Sequence, residues 1–189
     1  MAKFNSLIYC LSFTIFTFFS ISCESLGLGG DQEGTISPFE IGDSLYFSLQ
    51  DINPNSETYG DKIGPQSFNG KVVLLYFTTN ETWDVCIDRF GQLYNIFEEN
   101  IDESTAISNV MLIGIGKHNS IPIDEILADY KITPWVKDNI DNYIWNKFQA
   151  SNRDLFFIDK NGMFYSKENL TSFYDEYSIQ GTIYQLLNQ

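Results

Sequence analysis

The chain has 189 residues, 43% of them hydrophobic and 16% aromatic, which is enough apolar surface to offset the ordering entropy of one domain core and excludes a disordered chain. Eleven basic residues stand against 25 acidic ones, a formal net charge of −14; that field repels nucleic-acid phosphates, so no nucleic-acid partner is expected. With one histidine and three cysteines, a zinc site lacks ligands, and neither a metal nor another cofactor is expected.

Residues 1–23 differ in composition from the rest. Lys3 is their only charge, and Leu7 to Ile21 is dominated by Leu, Ile, Phe and Thr. At 15 residues this run is shorter than the ~20 that a membrane-spanning helix needs, and it ends in small residues, as secretory signal peptides do. The closing Ser20-Ile21-Ser22-Cys23 resembles the lipobox of bacterial lipoproteins, with Ser20 where Leu is usual. The resemblance implies acylation of Cys23, a membrane partner through that lipid and a place in the bacterial cell envelope. Glu24 rather than Asp after the cysteine favours the outer membrane. Simple secretion and a retained anchor stay as alternatives. Export would remove Cys10 and consume Cys23, leaving Cys86 alone and excluding an internal disulfide framework.

Residues 24–40 are rich in Gly, Ser and acid and read as a flexible tether to a domain over 41–189. Within that domain Val72–Phe77, Val110–Ile115 and Leu155–Ile158 are continuous apolar runs. Such runs suit strands covered on both faces. Between the first two, Cys86, Phe90, Leu93 and Phe97 recur at helical spacing, with Asp84, Asp88, Gln92, Asn95, Glu98 and Glu99 on the other faces. Strand, helix and strand make a right-handed βαβ unit. A second short helix is expected over Pro122–Tyr130. Asp159-Lys160-Asn161-Gly162 is a turn signal joining Leu155–Ile158 to Met163–Ser166 as a hairpin. A helix near Asp175–Leu187 closes the chain, burying Ile179, Ile183, Leu186 and Leu187, with Gly181 weakening it. The expected class is α/β, a mixed central sheet flanked by helices in the thioredoxin-like arrangement.

Particular residues agree with that arrangement. The stretch Phe47 to Gly60, with Asn53-Pro54-Asn55-Ser56-Glu57-Thr58-Tyr59, resembles the first strand and turn of redoxins, and within them of bacterial proteins similar to the N-terminal domain of selenoprotein P. Phe68-Asn69-Gly70-Lys71-Val72-Val73, Phe90-Gly91-Gln92-Leu93, Pro134-Trp135, Trp145 and Arg153-Asp154 before the Leu155–Ile158 run match further phrases of that family in order. The resemblance covers about Gly42 to Asp175. It implies that Cys86 is the second cysteine of a redox motif. Three residues earlier, where the family has Cys or selenocysteine, this chain has Trp83. It further implies that Pro134 is the proline facing the motif with a cis peptide bond, in a groove formed by Thr82, Trp83, Thr133, Pro134 and Trp135.

Two readings of Cys86 remain. It lies on an apolar helix stripe with Glu81 and Asp84 nearby and Arg89 as the local cation. Burial and acidic neighbours both disfavour a thiolate, which suits a structural cysteine in a binding module. Alternatively Cys86 is the catalytic residue of a one-cysteine thiol oxidoreductase or peroxidase-type redoxin acting on a protein or peptide thiol partner. Trp83 divides likewise between a partner-facing aromatic and one filling an emptied pocket. Asp51, Asn53, Asn55 and Glu57 loosely resemble half a calcium loop, but Ser56 replaces the required Gly and Lys62 the bidentate Glu, so a turn explains them better. His118 reads as a solvated loop residue.

Overall fold

The computed structural model describes residues 37–79, 89–96, 109–119, 132–171 and 175–189, all within the unit Thr35–Gln189. In chain order its elements are β1 (Leu49–Gln50), β2 (Lys62–Ile63), a 3-10 turn (Pro65–Phe68), β3 (Val72–Thr78), helix α1 (described over 89–96), β4 (Val110–Gly116), β5 (Trp135–Lys137), α2 (Tyr143–Lys147), β6 (Asp154–Ile158), β7 (Phe164–Asn169) and α3 (Glu176–Leu187). β1 and β2 form a small antiparallel pair, and the others make one five-stranded sheet in the order β5-β4-β3-β6-β7. β3 runs parallel to β4 and β4 to β5, while β6 is antiparallel to both β3 and β7.

The continuous hydrophobicity of β3 follows from its central place. Val72, Leu74 and Tyr76 point to one core with Phe90, Leu93 and Ile96 of α1 and Ile179, Ile183 and Leu186 of α3. Val73, Leu75 and Phe77 point to the other, with Ile144, Trp145 and Phe148 around α2. Successive strand side chains alternate between faces, so a strand covered twice must be apolar throughout. Each buried Leu, Ile or Phe contributes roughly 1.5–3 kcal/mol.

All three apolar runs are strands, and Phe90 and Leu93 are buried on a helix as their spacing implies. Cys86, Phe97 and the helix expected at Pro122–Tyr130 lie outside the described residues. Asp159 builds the expected turn: its carboxylate accepts from the backbone N–H groups of Asn161 and Met163 at 2.9 and 2.8 Å. Gly162 supplies the left-handed φ of +79° that the turn requires. α3 starts one residue later than its sequence pattern, because Asp175 is the N-cap and accepts from the Tyr177 N–H at 3.0 Å. Leu187 is only half-buried. Phe39, which composition assigns to the tether, sets its ring edge-on to Phe148 at 4.9 Å and near Phe164 at 5.9 Å.

Candidate functional site

Two constellations flank the sheet where the sequence places its chemistry. The first is built by Asp51, whose side chain is fully buried. One carboxylate oxygen accepts from the N–H groups of Asn53 and Trp135 at 2.9 and 3.1 Å, and the other accepts from the Thr58 hydroxyl at 2.7 Å. A buried carboxylate is tolerated when its oxygens are satisfied in this way. Asn53 extends the clamp, its side-chain amide donating to the Thr133 carbonyl at 2.6 Å while the Ile52 N–H donates to the Trp135 carbonyl at 2.8 Å. The carboxylates and amides that loosely resemble a calcium loop thus serve to fasten the turn to residues 133–135.

Thr133, Pro134 and Trp135 are all buried. The Pro134 carbonyl accepts from the Gly114 N–H at 3.0 Å. The Trp135 indole crosses Phe90 of α1 edge-on at 5.1 Å, and Phe90 stacks on Tyr76 of β3 at 5.8 Å. A Cβ on Gly114 would fall 2.2 Å from the Trp135 ring, so the indole lies directly on bare backbone. These residues start β5, which is separated from β3 by β4, with Trp135 paired to Gly114 and Gly114 paired to Tyr76. The stretch packs against Phe90 of α1, and among the described residues of this loop Ile132 is 53% exposed.

The second constellation sits where β3 ends. Beyond Thr78 the Thr79 N–H donates to the Asn152 side-chain oxygen at 3.0 Å, and the Arg153 N–H donates to the Phe77 carbonyl at 2.8 Å. The turn before β6, not Pro134, therefore lies directly beside the exit of β3. Sequence reading missed this role. Arg153 holds a left-handed φ of +69°, uncommon for a residue with a side chain. Next to it Asp154, fully buried, pairs with Lys167 at 2.7 Å and accepts from the Asn169 amide at 2.7 Å and the Ser151 N–H at 2.6 Å. On the opposite flank Trp145 meets Phe77 edge-on at 5.3 Å, with the Lys117 ammonium 4.7 Å from its ring. Its backbone N–H donates to buried Asp138 at 2.9 Å. His118, half-buried, donates its backbone N–H to the Asn142 side chain at 2.8 Å.

Three buried polar atoms in this region have no hydrogen-bond partner: Thr79 Oγ1, Trp145 Nε1 and Arg153 Nε. The carboxyl ends of parallel strands are where open α/β sheets hold ligands. Among the described residues no group of three or more His, Cys, Asp or Glu side chains converges to hold a metal ion. Thr82, Trp83 and Cys86 of the motif, and Cys23, lie outside the described residues.

No protein-family model matches the chain, and no curated protein sequence matches it. Solved structures do. A Bacteroides thetaiotaomicron protein provisionally named a protein disulfide isomerase is 23% identical, with 81% of this chain and 93% of that chain covered at a TM-score of 0.58. A thiol-disulfide isomerase from Corynebacterium glutamicum is 16% identical, covering 78% and 97% at 0.60. An exposed lipoprotein thioredoxin from Streptococcus pneumoniae is 18% identical, covering 74% and 98% at 0.55. The fold is thioredoxin-like, as the order of strands and helices along the sequence implies.

Proposed function

We propose that this chain is a lipid-anchored envelope protein of redoxin descent, related to the selenoprotein P N-terminal type, that uses a degenerate motif to bind a partner rather than to cycle a dithiol. The observation that carries the reading is the sequence Trp83-Asp84-Val85-Cys86 following the central strand of a thioredoxin-like fold. A dithiol cycle needs one thiolate to attack a disulfide and a second to release the mixed disulfide. With Trp83 in the first position, Cys86 has no resolving partner three residues away. In this reading Thr82, Trp83, Thr133, Pro134 and Trp135 form the partner-binding groove, and of these Thr133, Pro134 and Trp135 are buried. The partner is a protein or peptide. Anchoring through Cys23 draws support from the lipobox-like Ser20–Cys23 and from a neighbour of the same fold named an exposed lipoprotein. Intact-mass measurement on membrane extracts tests it: a chain beginning at diacylated Cys23 is expected, and an unmodified soluble chain beginning beyond Cys23 overturns it.

The neighbours named as thiol-disulfide isomerases favour one second reading, a one-cysteine oxidoreductase in which Cys86 forms a mixed disulfide that an external thiol releases. Insulin reduction separates the two. The binding-module reading expects negligible turnover in the native protein, no change in Cys86→Ser, and appearance of activity in Trp83→Cys. Robust native turnover abolished by Cys86→Ser establishes the one-cysteine enzyme instead.

A further inference from the structure

The segment 39–47 and α2 cover the same face of the sheet. Leu45 and Phe47 from the segment, with Ile144, Trp145 and Phe148 from α2 and its end, fill one core, and Phe148 meets the rings of Phe39 and Phe47 edge-on at 4.9 and 6.0 Å. On the outer side the Lys147 ammonium donates to the Tyr46 carbonyl at 2.9 Å. Tyr143 lies four residues before Lys147 on α2, and side chains at that spacing are neighbours on a helix surface. Lys147 thus ties Tyr46 to α2 one turn from Tyr143. Nine large hydrophobic side chains are exposed among the described residues, and four of them, Ile41, Tyr46, Ile140 and Tyr143, belong to this segment or to α2 and the turn that opens it, each more than half exposed. Scattered exposed apolar side chains are ordinary, whereas a group of them marks an interaction surface.

This face is also where the chain enters the domain. Residues 24–36 alone lie between Cys23 and Ser37. A Gly- and Ser-rich linker of ~13 residues has a root-mean-square span of ~20 Å, about half the width of a domain of roughly 150 residues, whose radius of gyration is ~15 Å. We propose that the face formed by Ile41, Tyr46, Ile140 and Tyr143 rests on the bilayer that holds the lipid on Cys23. The proposal rests on the anchoring reading given above and adds to it the orientation of the domain. Tyrosine suits such a surface, because its ring is apolar and its hydroxyl stays among the headgroups. Glu40 and Asp43 stand beside Ile41, and Asp141 follows Ile140. These carboxylates and the net charge of −14 repel anionic lipid and suit the ammonium groups of zwitterionic phosphatidylethanolamine and phosphatidylcholine.

The test is photo-crosslinking of the full chain carrying Tyr46→p-benzoylphenylalanine, Tyr143→p-benzoylphenylalanine or, as a control, Tyr177→p-benzoylphenylalanine. Tyr177 is exposed on α3, whose buried residues belong to the other core. Each chain is irradiated in bacterial membranes and in vesicles of phosphatidylethanolamine and phosphatidylcholine, and the adducts are weighed by mass spectrometry. Lipid adducts are expected at Tyr46 and Tyr143 in about ten-fold excess over Tyr177, the ratio that burial of a single large side chain produces. Phosphatidylglycerol added to the vesicles should lower the yield, and a rise overturns the choice of headgroup. Intact mass of the same samples reports the acyl group on Cys23. A chain without it overturns the anchoring reading and the docking with it, whereas an acylated chain with equal adducts at all three positions overturns the docking face alone. Adducts of protein mass at Tyr46 or Tyr143 in bacterial membranes, in place of lipid, assign the face to a protein partner and overturn the bilayer as its occupant.

Discussion

Gly114 lies on β4 with the Trp135 indole across its backbone, where an added Cβ would come within 2.2 Å of ring atom Cε3 and 2.5 Å of Cζ3. The Trp135 ring packs edge-on against Phe90 and its backbone N–H is held by Asp51, so neither partner can yield cheaply. Gly114→Ala is expected to destabilise the fold by about 1–3 kcal/mol, the usual cost of overpacking a tight core, read as a lower urea midpoint at unchanged slope. Glu168 supplies a residue-scale pH effect. Desolvation by burial, and then the charge of Asp175, raise its carboxyl above the ordinary 4.5. A raised carboxylate penalises the folded state above its folded pKa. As pH falls through that value the folded chain takes up the proton first, and relief is complete below the unfolded pKa. Glu168→Gln should therefore stabilise the protein at pH 7, with the advantage over the native chain shrinking as pH falls toward 4.5; urea unfolding at both pH values checks it. A constant advantage would show that the gain has another cause.

At the scale of elements, β3, β4, β6 and α3 were legible because each has a periodicity that burial enforces. β7 was legible only to Ser166. Its last residues, Lys167, Glu168 and Asn169, lie beyond the apolar pattern, and Lys167 and Asn169 both bind the buried Asp154 carboxylate. A polar strand end satisfied by tertiary partners leaves no hydrophobic pattern to find. β5 and α2, three and five residues long, are too short to show a period. The site was legible in part for the same reason. Motif residues can be located by spacing, whereas Arg153 acquires its importance from a left-handed φ and from its place beside β3, which only the fold creates. The Pro134 region was found by resemblance, but its burial and its distance of two strands from β3 follow from sheet order. α3 also carries a testable weakness. Gly181 is exposed in mid-helix, and a Cβ there would meet nothing within 4 Å. Gly181→Ala should therefore stabilise the protein by about 0.5–1 kcal/mol, through helix propensity and a less flexible unfolded chain. Denaturant midpoints suffice to measure it.

For the whole molecule the dominant electrostatic term is the excess of 25 acidic over 11 basic residues. Folding brings these charges closer together, so self-repulsion works against the compact state. Among the described residues the Lys167–Asp154 ion pair has side chains 2% and 0% exposed, and a buried pair is screened far less by dissolved salt than surface charges are. Added salt should thus weaken the unfavourable long-range term while leaving the buried pair nearly unchanged. Raising sodium chloride from about 10 mM to about 150 mM shortens the screening length from ~30 Å to ~8 Å, below the span of a domain of this size. The melting temperature of the protein is expected to rise over that interval, most steeply at its lower end. A fall would mean that screened surface ion pairs outweigh the net repulsion.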